Sequence, residues 1–540
     1  MQENQDHLTR RELLKGAAGI GIAGAMSPLA GLAGYSPQKK GLIVEENKKP
    51  GTTDWQLTFV KSEAYRSKWI EGYCSKTSVR PGESLEIFLS AEGLSTQKDF
   101  KTDVTIDLYR MGYYGGKGGR FIQSLGPFSV QTQTVPPIAE HRMRSCHWKP
   151  AVSFTIPKDW VSGVYVGKLS CTAHRYQSYI IFVVRDDRKA DILFQTSDTT
   201  WQAYNKWPDQ YSLYDSDPPL QPHSSRTWVS YDRPYGKCPQ VVDQPLSQGS
   251  GEFLCWEYPL CYWLEQQGYD VTYCSNIDTH SDKEGLNRVK CFLSVGHDEY
   301  WTLPMFEHVK SAVDNGLNAA FLSGNALMWV IDLQPSVNID PSSVDPSAGL
   351  NINGRGRVAA IPDANGRPDR TMHRIGRFGG ETETEKALGI MGPFERKDWP
   401  NENTLIGART MYPFNGSADW IVSNPGHWIF EGTGMKMGDK IPGLVGWEHH
   451  GDPAGIPGLE VVAEGTTTNS GEQTSHYTAT VYPGPKGNWV FNAATIFWSM
   501  GLAQPPGLIP PHSHYGGPHG TDERVQRITS NFLKRCGVVV

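Results

Sequence analysis

Beyond residue 55 the chain contains short stretches in which apolar and polar side chains alternate. Residues 104–109 alternate Val, Ile and Leu with Thr, Asp and Tyr, which is the period of a strand buried on one face. Similar runs without a helical period recur at 85–89, 163–166 and 179–184. The pattern predicts an all-β domain over 55–187, which we interpret as an immunoglobulin-like β-sandwich.

After residue 187 the pattern changes to short apolar runs that alternate with helical periods. Buried parallel strands are predicted at 192–194, 271–273, 289–295 and 319–322. Helices are predicted at 254–264 and 304–315, and each is followed by a glycine that can end it. A polar turn is predicted at 196–200. This alternation is typical of a doubly wound α/β domain, which we extend over 188–540.

The second half of that domain is less regular. Residues 335–383 are rich in Pro, Ser, Asn and Gly and show no clear period, so we interpret them as a long insertion whose structure the sequence does not predict. Strand-like pieces resume later, which makes the insertion β-rich. Residues 487–492 are expected to return to the sheet, and 521–535 to form a closing helix.

The first 34 residues resemble a targeting signal. A twin-arginine pair, Arg10 and Arg11, precedes a weakly apolar Gly/Ala run and small residues that end near Ala33. This predicts export by the twin-arginine (Tat) route, with the mature protein in the periplasm or otherwise outside the cytoplasm. The run is too short and too rich in glycine for a stable membrane span. Residues 35–54 are predicted to be a linker, with structure beginning near Trp55.

Composition narrows the function classes. The formal net charge of -6 and the absence of any Lys/Arg block argue against a nucleic-acid partner. The nine cysteines include no C-x-x-C pair, which indicates neither a disulfide framework nor a zinc ribbon. Cys291 begins a predicted strand and is expected to be an inert core thiol.

In open α/β sheets, ligands bind beyond the carboxyl ends of the strands. Three segments follow predicted strands directly, at 199–205, 296–301 and 323–325, and should converge on one crevice. In the second, an extended turn would direct His297 and Glu299 to one side, as a metal ligand and its partner. The alternative is structural: Asp298 or Glu299 caps the helix near Pro304 while His297 satisfies a buried backbone group.

Two further observations concern the chemistry. Proteases and glutamine amidotransferases on similar sheets place a serine or cysteine on the turn after this strand, whereas Gly296 and His297 stand here, so a nucleophile elbow is absent. The long connecting segment from Tyr204 to residue 251 is rich in tyrosines, which ordinarily pack against other side chains in such a loop. A trivalent, hard cation can hold a tyrosine as its anion, and at least one of these tyrosines is expected to do more than pack.

Several segments in this order resemble the large (beta) subunit of N,N-dimethylformamidase, and together they cover residues 190–535. They are Trp-Gln-Ala-Tyr-Asn at 201–205, Ser-Leu-Tyr at 212–214, Trp-Glu-Tyr-Pro at 256–259, Gly-His-Asp-Glu-Tyr-Trp at 296–301, Gly-Asn at 324–325, Trp-Ile-Phe-Glu-Gly-Thr-Gly at 428–434, Gly-Trp-Glu at 446–448 and Ala-Thr-Ile-Phe-Trp at 494–498.

The resemblance implies a mononuclear Fe3+ held by two tyrosinates and a glutamate, which would be Tyr204, Tyr214 and Glu299 here. Tyr231 is an alternative to Tyr214, because the loop that carries this ligand varies in length. The same resemblance makes His297, Asn325 and Glu448 the acid/base and supporting residues.

The function implied is hydrolysis of a small amide or a related carbon-nitrogen bond. The family enzyme also works with a small companion subunit and contains a lectin-like domain, neither of which this chain supplies. The sequence leaves the oligomeric state open, a homo-oligomer included.

Two other functions stay open. A non-catalytic exported protein could use a glutamine-amidotransferase-like sheet to bind a sugar or another small ligand. A glycoside hydrolase could use Asp298 or Glu299 with a distant carboxylate. His512, His514 and His519 could ligate a metal by count alone, but their Pro/Gly-rich setting favours a loop or an access lid.

Overall fold

The computed structural model describes residues 41–540 except 94–99, 216–226, 242–243, 351–355, 364–365, 389–397, 413–414 and 511–519. The predicted export signal and the three C-terminal histidines therefore lie outside the described residues. Residues in strands greatly outnumber residues in helices in the described part, and the fold is mixed α/β. No helix among the described residues is long and apolar enough to cross a membrane.

The first eight strands form two sheets that enclose one apolar core. They are β1 (Glu71–Cys74), β2 (Ser78–Val79), β3 (Ser84–Ser90), β4 (Lys101–Met111), β5 (Gly119–Gln131), β6 (Pro150–Thr155), β7 (Gly163–Cys171) and β8 (Gln177–Val184). One sheet has the order β1-β3-β6 and the other β2-β8-β7-β4-β5. Apolar side chains from both sheets, Ile87 and Ile106 among them, pack together without exposed surface. The alternation predicted for 104–109 is confirmed.

The remaining strands continue through the second part of the chain. They are β9 (Ile192–Thr196), β10 (Val229–Ser230), β11 (Val271–Ser275), β12 (Cys291–Gly296), β13 (Tyr300–Trp301), β14 (Asn318–Ser323), β15 (Trp329–Gln334), β16 (Val337–Leu350), β17 (Gly356–Pro362), β18 (Thr371–Arg377), β19 (Ala408–Thr410), β20 (Gly416–Ile421), β21 (Lys440–Trp447), β22 (His450–Pro453), β23 (Glu460–Thr468), β24 (Thr474–Pro483) and β25 (Trp489–Asn492).

The α-helices are short. They are α1 (Leu42–Asn47), α2 (Asp198–Tyr204), α3 (Tyr258–Gln267), α4 (Asn276–Ser281), α5 (Leu303–Asp314), α6 (Glu383–Leu388), α7 (Asn403–Ile406) and α8 (Glu523–Arg535). The predicted helices at 304–315 and 521–535 correspond to α5 and α8. Helix α3 ends at Gly268, whose φ of 84° is the left-handed conformation that glycine adopts without strain.

A nine-stranded sheet with the order β11-β9-β12-β14-β25-β24-β23-β20-β21 forms the centre of the second part. The first five strands are parallel, and the last four extend the sheet with antiparallel pairs. Numbered along the chain, the parallel strands have the order 2-1-3-4-5, a common doubly wound arrangement. Its topological switch point, where such sheets bind ligands, lies between β9 and β12.

Three local predictions are wrong. The polar turn predicted at 196–200 contains the start of helix α2. Helix α5 is capped by Thr302, which accepts a hydrogen bond from Met305 N, and not by Asp298 or Glu299. The linker predicted at 35–54 contains helix α1, where the buried Glu46 accepts hydrogen bonds from Tyr114 and Arg120. A charged segment is easily mistaken for a linker when the residues that bury its charges lie far along the sequence.

The segment at 335–383 also has regular structure, which the sequence did not predict. Strands β16 and β17 pair with each other, and β18 enters a four-stranded sheet of order β10-β18-β15-β13. That sheet lies over the carboxyl ends of the central strands, since β13 follows the turn at 297–299. It contributes Arg374 to the surroundings of the site.

A buried ion pair joins the sandwich to the central sheet. Arg110 on β4 donates to both carboxylate oxygens of Glu265 on α3, at 2.7 and 2.9 Å, and neither side chain is exposed. Tyr273 on β11 donates to the same carboxylate at 2.9 Å. The sandwich and the α/β part therefore share a fully desolvated polar contact, whose loss from one side would leave a buried charge unpaired.

Candidate metal centre

The turn after β12 places His297 and Glu299 on the side of the crevice. Gly296 ends the strand with a φ of 69°, and an added Cβ would lie 2.9 Å from Cβ of Trp256, so only glycine fits. Glu299 N donates to Thr200 Oγ1, and Trp329 N donates to Glu299 O. The turn is thereby fixed to α2 on one side and to β15 on the other.

Asp298 points the opposite way, as the predicted alternation requires. Its carboxylate accepts hydrogen bonds from Ser294 at 2.7 Å, Gln195 at 2.8 Å and Asn276 at 3.0 Å. Burial raises the pKa of Asp298 to about 6. The Asp298 carboxylate stabilises the turn through these three hydrogen bonds. A catalytic carboxylate of a glycoside hydrolase would instead point into the crevice.

Tyr204 and Tyr214 bring two phenols to Glu299. Tyr204 is the last residue of α2, and its ring stacks on that of Tyr214 with centroids 4.6 Å apart. The Tyr214 loop is braced by Asp215, which accepts hydrogen bonds from both N and Oγ of Ser212. Both phenol rings are half-buried, whereas Glu299 is fully buried.

The three side chains form one compact oxygen cluster. Tyr204 Oη lies 2.7 Å from Tyr214 Oη and 2.8 Å from Glu299 Oε2. Tyr214 Oη lies 2.9 Å from Glu299 Oε1 and 3.1 Å from Glu299 Oε2. With Glu299 ionised, the two phenolic protons of this cluster serve four short contacts, so at least one pair of oxygens faces each other without a proton between them. Such a cluster is better satisfied by a shared cation than by hydrogen bonds alone.

His297 and Glu448 form a second pair beside the oxygen cluster. His297 Nε2 lies 2.6 Å from Glu448 Oε2 and 3.2 Å from Glu299 Oε2. Burial opposes the charge of His297, but the Glu448 and Glu299 carboxylates outweigh burial and raise the pKa of the imidazole. One ligand atom from each of these three residues lies within 4.8 Å of the others, so the buried group can hold a metal ion.

Asn325 connects the two carboxylates. Its Nδ2 donates to Glu299 Oε1 at 3.1 Å, and its side chain lies close enough to Glu448 to oppose the rise that burial causes in the pKa of that carboxyl. Asn325 Oδ1 is buried and accepts no hydrogen bond from the described residues. These contacts support a role in orienting the two carboxylates.

The backbone around Glu448 and Asn325 is held in uncommon conformations. Asn325 has a φ of 57°, Trp447 of 34° and Ala494 of 62°, all in the left-handed region that non-glycine residues rarely adopt. Gly324 approaches the Glu448 carbonyl so closely that an added Cβ would lie 2.1 Å from its oxygen. Strained backbone of this kind persists where the surroundings over-determine it and clusters at functional sites.

His450 holds this region together. Its Nε2 accepts a hydrogen bond from Ala326 N at 2.9 Å, so Nδ1 carries the proton and donates to Asn492 Oδ1 at 2.7 Å. Burial lowers the pKa of His450 to about 4, and the ring is neutral. The imidazole of His450, two residues after Glu448, thereby connects the loop that carries Asn325 to β25.

The structure thus brings together Tyr204, Tyr214, His297, Glu299, Asn325 and Glu448. Tyr231, the sequence alternative to Tyr214, lies elsewhere and donates to Asp198 O at 3.4 Å. Thr200, His450 and Arg374 support the site but were not predicted from the sequence. Thr200 lies within a segment that was singled out and His450 follows Glu448 closely, whereas no local signal marks Arg374.

Burial, reinforced by the Glu299 carboxylate, raises the pKa of Tyr204 and of Tyr214 well above the ordinary tyrosine value. Burial likewise raises the pKa of Glu448. All nine cysteines are buried and free, Cys291 among them, as expected of core thiols.

The family whose pattern is described as N,N-dimethylformamidase beta subunit-like, C-terminal, matches residues 105–515. No curated protein sequence matches the chain. A solved family 123 glycoside hydrolase from Clostridium perfringens, studied for glycolipid glycan hydrolysis, is 9% identical, with 46% of this chain and 59% of that chain covered and a TM-score of 0.10. The chain spans less than two thirds of that structure, and so low a TM-score carries no argument. The family match covers most of the chain, which belongs to the N,N-dimethylformamidase beta subunit-like family.

Proposed function

We propose that the protein is an iron-dependent hydrolase of a small amide or a related carbon-nitrogen bond. The observation that carries the proposal is the oxygen cluster of Tyr204, Tyr214 and Glu299, with contacts of 2.7–3.1 Å, beside the buried His297 and Glu448. Two phenols and one carboxylate are hard oxygen donors, which suit a trivalent cation. The family to which the chain belongs supports an amide as the substrate class.

The residues present fit a ferric ion. Tyr204, Tyr214 and Glu299 would hold it, because their oxygens converge with too few protons to satisfy one another. When bound, such an ion supplies Lewis acidity toward a carbonyl oxygen and toward water. Three protein ligands leave positions open, and the two half-buried phenol rings are the part of the site that reaches solvent.

The remaining residues of the site would handle protons and orientation. Glu448, whose pKa burial raises above the ordinary glutamate value, takes the proton of the attacking water. His297 holds Glu448 at 2.6 Å and passes that proton to the leaving amine. Asn325 orients Glu299 and Glu448, and it could donate to a developing oxyanion only by releasing one of these contacts.

Purified full-length protein tests the proposal. We expect about one iron per chain, a visible charge-transfer band from phenolate to iron, and hydrolysis of small amides, with N,N-dimethylformamide as the first probe. The Glu299→Gln variant should lose iron and activity together. A colourless protein that lacks iron yet hydrolyses amides at full rate would refute the metal mechanism.

The non-catalytic alternative has one observation in its favour, since the crevice residues are buried and polar as in a ligand-binding protein. It predicts no stoichiometric iron and no turnover. The same iron and activity measurements therefore separate the two functions.

We further propose the organisation inferred from the sequence. Residues 1–34 are a Tat signal that directs the protein to the periplasm, 55–187 an immunoglobulin-like domain, and 188–540 a catalytic domain with a glutamine-amidotransferase-like sheet. Replacing Arg10 and Arg11 by Lys should keep the protein in the cytoplasm, which cell fractionation would detect. A small companion subunit and a homo-oligomer are proposals that the mass of the purified complex tests.

A further inference from the structure

A buried arginine outside the oxygen cluster contacts the Tyr214 ring. Arg374 lies on β18 and is only 3% exposed. Its guanidinium carbon lies 5.3 Å from the centroid of the Tyr214 ring and 4.5 Å from that of Trp329. Its Nη2 donates to Leu213 O at 2.7 Å, and Leu213 directly precedes Tyr214. The side chain therefore contacts both the ring and the backbone that carries it.

The guanidinium of Arg374 interacts favourably with the faces of the two rings, because their quadrupoles attract a cation. It also donates a hydrogen bond to the Leu213 carbonyl. A phenolate ring carries a full negative charge and would attract the guanidinium more strongly than a neutral phenol. The position of Arg374 thus suits a Tyr214 that is anionic.

We propose that Arg374 is a positioning residue of the iron site, which fixes the Tyr214 loop through Leu213 and offsets the charge of the Tyr214 phenolate. This inference rests on the proposed function, because it requires Tyr214 to be an iron ligand. The two phenolates and Glu299 would carry three negative charges, whereas the charge of Glu448 is offset by the imidazolium of His297. A fixed guanidinium over the Tyr214 ring lowers the energy of the filled phenolate orbital.

The chain contains a matched control on the same strand region. Arg370 is 5% exposed, lies over the Tyr231 ring at 5.4 Å, and donates to Tyr231 O at 2.7 Å. It has the same type of contact with a tyrosine outside the oxygen cluster, and it also pairs with Asp232 Oδ1 at 2.9 Å. Removing Arg370 should therefore disturb packing at least as much as removing Arg374, and a purely structural effect should appear in Arg370→Gln as well.

The experiment compares Arg374→Gln, Arg374→Lys and Arg370→Gln with the wild-type holoprotein. The readouts are the iron-to-protein ratio, the wavelength of the charge-transfer band, and the chelator concentration that removes half of the iron. In Arg374→Gln the phenolate orbital rises in energy, so the band should move to longer wavelength. Its iron should be lost at about tenfold lower chelator concentration, the usual size of a supporting-residue effect. Arg374→Lys and Arg370→Gln should keep the wild-type band.

Three outcomes overturn the inference. The first is an iron-loaded Arg374→Gln with an unchanged band, which leaves the proposed function intact. The second is an equal shift in Arg370→Gln, which would indicate a general packing effect. The third is a wild-type protein without iron or band, which refutes the proposed function as well. If Arg374→Gln does not fold, Arg374→Lys decides, since a displaced band at full iron content contradicts the charge effect.

Discussion

Glu448 Oε2 lies 2.6 Å from Nε2 of His297, and both side chains are buried. The two residues are far apart in sequence, one after a central parallel strand and the other after an antiparallel strand of the sheet extension. A carboxylate and a protonated imidazole so close form an ion pair, and His297 Nε2 also lies 3.2 Å from the Glu299 carboxylate. The pair therefore has the arrangement of an acid/base couple beside a metal site.

Glu448→Gln should separate proton transfer from metal binding. The variant keeps a side chain of similar size next to His297 but cannot accept a proton from water. We expect an iron content close to that of the wild type and a kcat lowered by about 100-fold or more. Steady-state rates normalised to iron would show this, and full activity in the variant would remove Glu448 from the proton path.

Tyr214→Phe should lose iron, whereas Tyr231→Phe should keep it. Only the first phenol lies in the oxygen cluster, and the second contacts the backbone of Asp198. Metal analysis of the two purified variants makes the comparison. Iron loss from Tyr231→Phe with retention in Tyr214→Phe would reverse the assignment of the second tyrosine ligand.

His450→Leu should lower both stability and kcat. The change leaves Ala326 N and Asn492 Oδ1 without their hydrogen-bond partner, at a cost of about 1–3 kcal/mol for each group. His450→Gln can donate and accept in the same directions and should restore much of the loss. Urea denaturation and kcat would be measured in parallel. Equal behaviour of the two variants would argue against a hydrogen-bonding role of His450.

Glu265→Ala should destabilise the protein by about 3–5 kcal/mol, because Arg110 is left as a buried, unpaired cation. Asp314→Ala removes the partner of Lys310 in a pair with side-chain exposures of 30% and 46% and is the control. It should cost well under about 1 kcal/mol. Denaturation midpoints of the two variants test this, and similar midpoints would mean that the buried ion pair contributes little to the stability of the fold.

The sequence predicted the parts of the fold in which local pattern and burial agree. The run at 289–295 became β12, and the alternation in the following turn correctly separated His297 and Glu299 from Asp298. The pattern placed the segment 199–205 at the crevice, whereas the role of Tyr204 within it came only from the family resemblance. These positions depend on neighbours within a few residues.

The parts that were missed depend on contacts between distant segments. Arg374 is a buried arginine in a strand, and it contacts the rings of Trp329 and Tyr214 and the Leu213 carbonyl, all of which are distant in sequence. Helix α1 contains a glutamate that becomes buried through Tyr114 and Arg120. No local period reveals such partners, and the position of Glu448 was supplied by family resemblance and not by pattern.

The position of β25 has a consequence for the order in which the site is made. This strand pairs with β14 on one side and β24 on the other, so it joins the antiparallel hairpins to the parallel core. Until residues 489–492 are synthesised, β24 lacks the strand that connects it to β14. An incomplete nascent chain would therefore already contain the three proposed iron ligands, whereas the strands that place Glu448 beside His297 are completed last.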